Sequence, residues 1–179
     1  GYDVTLITEK EIAALDLKVF DAILTGVRAY NTNEWMPAYY NKLMQYVQNG
    51  GNLVVQYNTN SNAGPLRTTM GPYPFTLSRT RVTDENATVK FVKPEHQVLN
   101  YPNKITANDF KDWIQERSIY HGSNWDKNYE TILSMGDAGE TPDEGSLLIA
   151  KYGKGYFTYT GIVFFRQLPA AVPGAFRLL

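Results

Sequence analysis

Gly50-Gly51-Asn52-Leu53-Val54-Val55-Gln56-Tyr57-Asn58 reads as a buried strand between two turns. The glycine pair ends whatever precedes it, because glycine takes positive φ at little cost. The apolar run Leu53–Val55 is a strand, and Tyr57 and Asn58 form its polar exit. Upstream, Trp35, Tyr39, Leu43 and Val47 recur every four residues, beside Met36, Tyr40 and Met44, which predicts a helix with one buried stripe. Asn33 is placed to cap its start.

Further out the alternation continues. Phe20 to Gly26 is a near-continuous apolar run, as expected of a parallel strand covered on both faces. Glu9 to Leu15 predicts a short helix with acids at its start, and Val4 to Ile7 an earlier strand. Strands alternating with helices imply right-handed crossovers and a parallel, doubly wound sheet.

Beyond Asn58 the pattern loosens. Asn58 to Pro74 is rich in Asn, Thr, Gly and Pro and predicts a long loop. Val89–Val92, Ser118–His121 and Tyr129–Met135 predict further strands. Thr106 with Asp109 resembles a capping box opening a short helix through Trp113. Gly153-Lys154-Gly155, between Leu147–Tyr152 and Tyr156–Thr160, signals a hairpin. Pro173 to Leu179 reads as the beginning of a helix.

The 179 residues suit one domain, 1–179, with no interior boundary. The formal net charge of −1 gives no electrostatic basis for binding nucleic acid or an anionic membrane surface. No apolar run approaches the roughly 20 residues of a membrane helix. The absence of Cys removes disulfides, thiolate metal sites and thiol nucleophiles. No glycine-rich phosphate loop or Gly-x-Ser-x-Gly elbow occurs, so no cofactor is expected.

Two stretches, Phe20-Asp21-Ala22-Ile23-Leu24-Thr25-Gly26-Val27-Arg28-Ala29-Tyr30-Asn31 and Tyr46 to Asn58, resemble the class I glutamine amidotransferase-like superfamily. The likeness is nearest to its ThuA-like branch and to the domain that follows the deacetylase module in large bacterial PIG-L (LmbE-like) proteins. His96-Gln97-Val98-Leu99-Asn100, Gln115 to Tyr120, Gly153 to Gly161 and Phe164 to Pro169 are similar to later landmarks of that branch. The resemblance implies a three-layer α/β sandwich, flavodoxin-like, with a mostly parallel sheet and a C-terminal antiparallel hairpin. It also implies a fragment of a longer chain lacking the first strand, whose partner is the deacetylase-like remainder of the polypeptide, at a periplasmic or extracellular location. Oligomer formation is compatible with it.

The resemblance places a catalytic Cys at the exit of the Leu53 strand, where Tyr57 and Asn58 stand, and a late catalytic His where Phe164 and Phe165 stand. The deacetylase His-Pro-Asp-Asp-Glu motif is absent as well. The expected function is therefore a non-catalytic accessory domain, with carbohydrate-related binding or subunit contact as its work. One alternative is a ThuA-like carbohydrate-active or small-molecule hydrolase using Glu116 and His96 without a thiol. Another is a structural or dimerisation module.

Four residues form the candidate cluster: Arg28, Asn58, Glu116 and Arg166. Each follows or abuts a strand or helix end, and such ends converge outside the carboxyl edge of an open α/β sheet. Arg28 is placed to bind a carboxylate or sugar hydroxyls, or to pair with a neighbouring acid. Asn58, with Asn60 and Asn62, offers amides to sugar hydroxyls or serves turn chemistry. Glu116 is expected to pair with Arg28 or Arg166, because buried charges persist when paired. No metal site is expected: His96 and His121 lack ligand spacing, and His121 with Asp126 is a weak pair. The acids Asp137, Glu140, Asp143 and Glu144 read as a solvated turn.

Overall fold

A strand follows Gly50 and Gly51 as the pattern predicts, and the helix before them forms from Tyr40. The computed structural model describes residues 3–61, 65, 66 and 68–179. The helices are α1 (Glu9–Ala14), α2 (Ala29–Thr32), α3 (Tyr40–Gln48), α4 (Phe164–Gln167) and α5 (Pro173–Leu178). The strands in the first half are β1 (Ala22–Thr25), β2 (Asn52–Gln56), β3 (Thr76–Leu77), β4 (Arg81–Val82) and β5 (Val89–Phe91). Those in the second half are β6 (Ser118–Ile119), β7 (Gly122–Ser123), β8 (Tyr129–Thr131), β9 (Leu133–Met135), β10 (Leu147–Tyr152) and β11 (Gly155–Thr160).

A five-stranded sheet runs in the order β1-β2-β11-β10-β8. β1 pairs with β2, and β2 with β11, in parallel; β11–β10 and β10–β8 are antiparallel. The protein is therefore α/β with a mixed sheet, half parallel by its pairings rather than mostly so. The predicted hairpin is β10–β11. Its tip is fixed: Gly153 has φ +62°, and Lys154 N–H donates to Gln48 O at 3.0 Å. At Gly155 a Cβ would lie 2.2 Å from Gly51 O, so only glycine lets the tip seat on the end of α3.

The sheet divides the core. On one face α3 sets Leu43, Met44 and Val47 against Leu53, Val55, Phe157, Tyr159 and Leu148. The predicted stripe holds at Leu43 and Val47, which are buried, while Trp35 and Tyr39 are half-buried. These two lie ahead of α3, around a 3-10 turn at Met36–Tyr39 that carries Pro37 in its first turn. Asn33 does not cap this helix; it closes α2, its Nδ2 donating to Ala29 O at 3.0 Å.

On the opposite face Leu147 and Ile149 meet the second cluster, which includes Val82, Phe110, Trp113, Ile132, Ile162 and Phe164. That cover is built from the two-stranded ladders β3–β7, β4–β6 and β5–β9 with short helices, not from a layer of long helices. It stops short of β1 and β2. Leu24 is 47% exposed and Tyr156 41%, and Val54 and Thr158 are half-buried.

Two expectations are corrected here. Val4–Ile7 forms no strand, and Val4 and Leu6 are exposed. β1 has one neighbour and ends the sheet, and Leu24 is 47% exposed, so its apolar run is not covered on both faces. The Ser118–His121 strand is likewise cut short: only Ser118 and Ile119 form it, as β6, and Tyr120 at φ +51° parts them from β7. The capping box at Thr106 and Asp109 is present and opens a 3-10 turn at Ala107–Phe110. In the long loop after β2, residues 62–64 and 67, Asn62 among them, lie outside the described residues.

Candidate functional site

The carboxyl end of β2 is tied to the loop after β1 by side-chain amides. Arg28 N–H donates to Tyr57 O at 2.8 Å. Asn58 is fully buried; its Oδ1 accepts Tyr30 N–H at 2.9 Å, and its Nδ2 donates to Gln56 O at 2.9 Å. Asn31 and Thr59 repeat the arrangement, with Asn31 Nδ2 on Thr59 O and Thr59 N–H on Asn31 Oδ1, both at 2.8 Å. Asn58 thus spends both ends of its amide on backbone. This is turn chemistry, one of its two sequence readings.

Glu116 reaches the same sheet edge by a different route. After β11, the chain at Gly161–Val163 runs antiparallel to Arg117–Ile119: Ile119 N–H meets Gly161 O at 2.8 Å and Val163 N–H meets Arg117 O at 3.2 Å. Gln167 is buried and pairs its amide with both backbone groups of Ile114 at 2.9 Å, which fixes the loop before Glu116. Glu116 itself is 3% exposed. Its Oε1 accepts from Arg166 Nε at 2.9 Å and its Oε2 from Arg81 Nη2 at 2.6 Å. Arg166 Nη1 also donates to Gln115 Oε1.

The expected contact of Glu116 with Arg166 is present; the contact with Arg28 is not. Arg28 is exposed, at φ +56° on the threshold of α2, and its guanidinium makes no hydrogen bond or ion pair among the described residues. Arg81 is the member that sequence reasoning missed. It lies on a two-residue strand, too short to carry a periodic signal.

Between Arg28 and the clamp stands a row of rings. Tyr57 stacks on Tyr120 at 5.8 Å between centroids and 10° between planes, and meets Phe165 at 5.2 Å. The Arg166 guanidinium lies 5.1 Å from the Phe165 centroid. All three rings are half-buried.

The two histidines serve elsewhere. His96 Nδ1 accepts Val98 N–H at 3.2 Å and caps a 3-10 turn. No hydrogen bond or ion pair joins it to Glu116 among the described residues. His121 does not pair with Asp126, which caps a local turn through Asn128 N–H at 2.9 Å. Its Nδ1 instead meets Asp143 Oδ1, and its Nε2 meets Ser118 Oγ at 2.6 Å. The reading of Asp143 as part of a solvated turn is corrected accordingly. Burial would raise the Asp143 pKa, but the bond and the charge of His121 outweigh it and hold the carboxyl below its ordinary range.

Ser118, His121 and Asp143 have the connectivity of a hydrolytic triad. Yet Ser118 and His121 are wholly buried, and Ser118 Oγ also touches Met135 Sδ at 3.4 Å. The chain of bonds ties β6 to the acidic loop and offers no route to a substrate. No group of three or more acidic or imidazole side chains able to hold a metal ion occurs among the described residues.

No sequence-family model matches this chain, and no curated protein matches it. Solved structures do. The cytoplasmic protein STM3548 from Salmonella typhimurium aligns at 15% identity and TM-score 0.60, over 97% of this chain and 73% of that one. The cytoplasmic protein STM1381 from Salmonella typhimurium LT2 aligns at 14% identity and TM-score 0.53, over 90% of this chain and 68% of that one. A β-galactosidase from Rahnella sp. R3 aligns at 18% identity and TM-score 0.46, and this chain spans 21% of its length. At such identities the two Salmonella proteins share the α/β fold with this chain.

Proposed function

We propose that this chain is a non-catalytic domain of the class I glutamine amidotransferase-like kind, flavodoxin-like in its three-layer plan and nearest the ThuA-like branch. In this reading it is an accessory module of a larger bacterial PIG-L (LmbE-like) protein. The observation that carries the non-catalytic reading is the end of β2. Tyr57 packs against the rings of Tyr120 and Phe165, Asn58 spends its amide on backbone, and Glu116 is held by two arginines. None of these groups is a free nucleophile or base, and nucleophilic catalysis needs both.

The accessory role is supported by the sheet. Parallel strands are ordinarily covered on both faces. Here Leu24, Val54 and Thr158 remain open on one, a surface suited to another part of the same polypeptide or to a second subunit. The exposed Arg28 beside the ring row supplies a cation and apolar faces of the sort a sugar meets.

The hydrolase reading has one observation in its favour, the Ser118–His121–Asp143 connectivity, and the burial of its serine opposes it. One assay addresses both. The purified chain is incubated with glutamine and, separately, with a fluorophosphonate that labels activated serines. We expect neither ammonia release nor a serine adduct. Ammonia would overturn the non-catalytic reading through a nucleophile other than Cys, and a Ser118 adduct would establish the hydrolase.

A further inference from the structure

Arg117 precedes β6, and only 5% of it is exposed. Its Nε donates to Ala87 O at 3.2 Å, and its Nη1 to Phe110 O. The guanidinium lies 5.7 Å from the Phe110 ring centroid and 5.6 Å from that of Trp113. No carboxylate stands within ion-pair distance of it among the described residues. Its third nitrogen, Nη2, has no hydrogen-bond partner there.

A buried guanidinium is ordinarily paired with an acid, because the lost hydration is otherwise uncompensated. The two acids that act on it most, Asp84 and Glu85, are engaged with backbone: Asp84 Oδ1 accepts Asn86 N–H at 2.8 Å, and Glu85 Oε2 accepts Gln115 N–H. Arginine stays protonated even when burial lowers its pKa, as it does here.

Arg117 lines a cavity of about 320 Å³. Ala87, Val89 and Phe110 give it an apolar wall, while Asn86, Thr88 and Lys111 supply donors. The side chains of Asn86, Thr88 and Lys111 make no hydrogen bonds among the described residues. Asp112 also lines it, and offsets Lys111 in charge. The volume is at the small end of ligand pockets, which run from about 300 Å³.

We propose that this cavity binds a small organic monocarboxylate: one oxygen accepts from Arg117 Nη2, and the apolar body lies on Ala87, Val89 and Phe110. A monoanion fits better than phosphate, because Asp112 lines the site, Asp84 and Glu85 act on Arg117 from beside it, and a dianion would meet twice their repulsion. The site is separate from the β2 edge and does not depend on the function proposed for it.

Benzoate is the probe, with benzamide as its neutral counterpart and inorganic phosphate as the dianion. The backbone amide resonances of Thr88, Val89 and Lys111, which line the cavity in parent and variants alike, are followed by NMR during titration of the whole chain. We expect a saturable shift with benzoate, none with benzamide and a weaker response to phosphate. Arg117→Met should weaken benzoate binding about tenfold or more, the loss of one charge-assisted bond. Because that variant removes a buried group, Thr88→Val and Lys111→Gln test the mouth of the cavity, where folding is not at stake. Each should weaken binding a few-fold. No saturable shift up to about 10 mM, ten times a millimolar Kd, would overturn the proposal. So would equal shifts with benzamide, or benzoate binding unchanged in both mouth variants.

Discussion

Glu116 has both carboxylate oxygens committed, one to each arginine of the clamp. Gln at this position keeps one acceptor and turns an amide donor toward a guanidinium. Solvent compensates in part, since the Arg81 and Arg166 side chains are 51% and 34% exposed. We therefore expect Glu116→Gln to cost about 1–3 kcal/mol, a fall in Tm of several degrees for a chain of this size. Arg28→Gln, which removes a guanidinium with no partner among the described residues, should leave the Tm in place. Calorimetry on both variants checks this, and equal Tm values for Glu116→Gln and the parent would show that the clamp contributes nothing. Half of this arrangement was legible beforehand. Glu116 and Arg166 each abut an element end, and fold geometry brings such ends together. Arg81 was not legible, because its strand is two residues long. Sequence offers His121 only Asp126, as a weak pair, whereas Asp143, which holds it, arrives through an irregular loop without a pattern.

The helical stripe before Gly50 and the Gly153-Lys154-Gly155 turn carry the clearest signals in the chain: the hairpin formed where its residues predict, and α3 formed over the later part of its predicted span, from Tyr40. Leu43 is 2% exposed and packs between α3 and the sheet. Leu43→Ala should destabilise by roughly 2–5 kcal/mol, the usual cost of a cavity in a well-packed core. Chemical denaturation measures it directly, and a change under about 0.5 kcal/mol would mean that the site relaxes like a surface position. Two physical causes account for the elements that misread. The ladders β3–β7 and β4–β6 are two residues per strand, so a period of two cannot repeat within them. Val4–Ile7 has strand-like residues but no neighbour to pair with, and strand propensity is largely the effect of such neighbours. Sequence pattern therefore located the central parallel strands and, within the antiparallel cover, the segments that hold β5, β6, β8 and β9, but left β3, β4 and β7 unread.

Across the whole molecule, carboxylates hold distant segments together. Asp109 joins α5 through Arg177 Nε at 2.6 Å, Asp137 accepts the Thr83 and Asp84 N–H groups at 2.9 Å, and Asp143 holds His121. In each, burial alone would raise the pKa, and the hydrogen bonds and nearby charges lower it below the ordinary value. A lowered folded-state pKa adds stability above the unfolded value, about 3.9 for Asp, and that stability is lost as pH falls through the folded value. The urea midpoint should thus hold through neutral pH and drop below about pH 4. A midpoint unchanged from pH 6 to pH 3 would contradict it. The pinned hairpin tip has a consequence of another kind. Tight turns between strands are commonly the most forgiving places to splice in foreign sequence. Here Lys154 N–H is engaged by Gln48 O, and Gly155 has no room for a Cβ against Gly51. A tag or reporter grafted between Gly153 and Lys154 would lever the hairpin off α3, so the turn is closed to engineering. The exposed stretch Gly139–Thr141 is the better site for cargo.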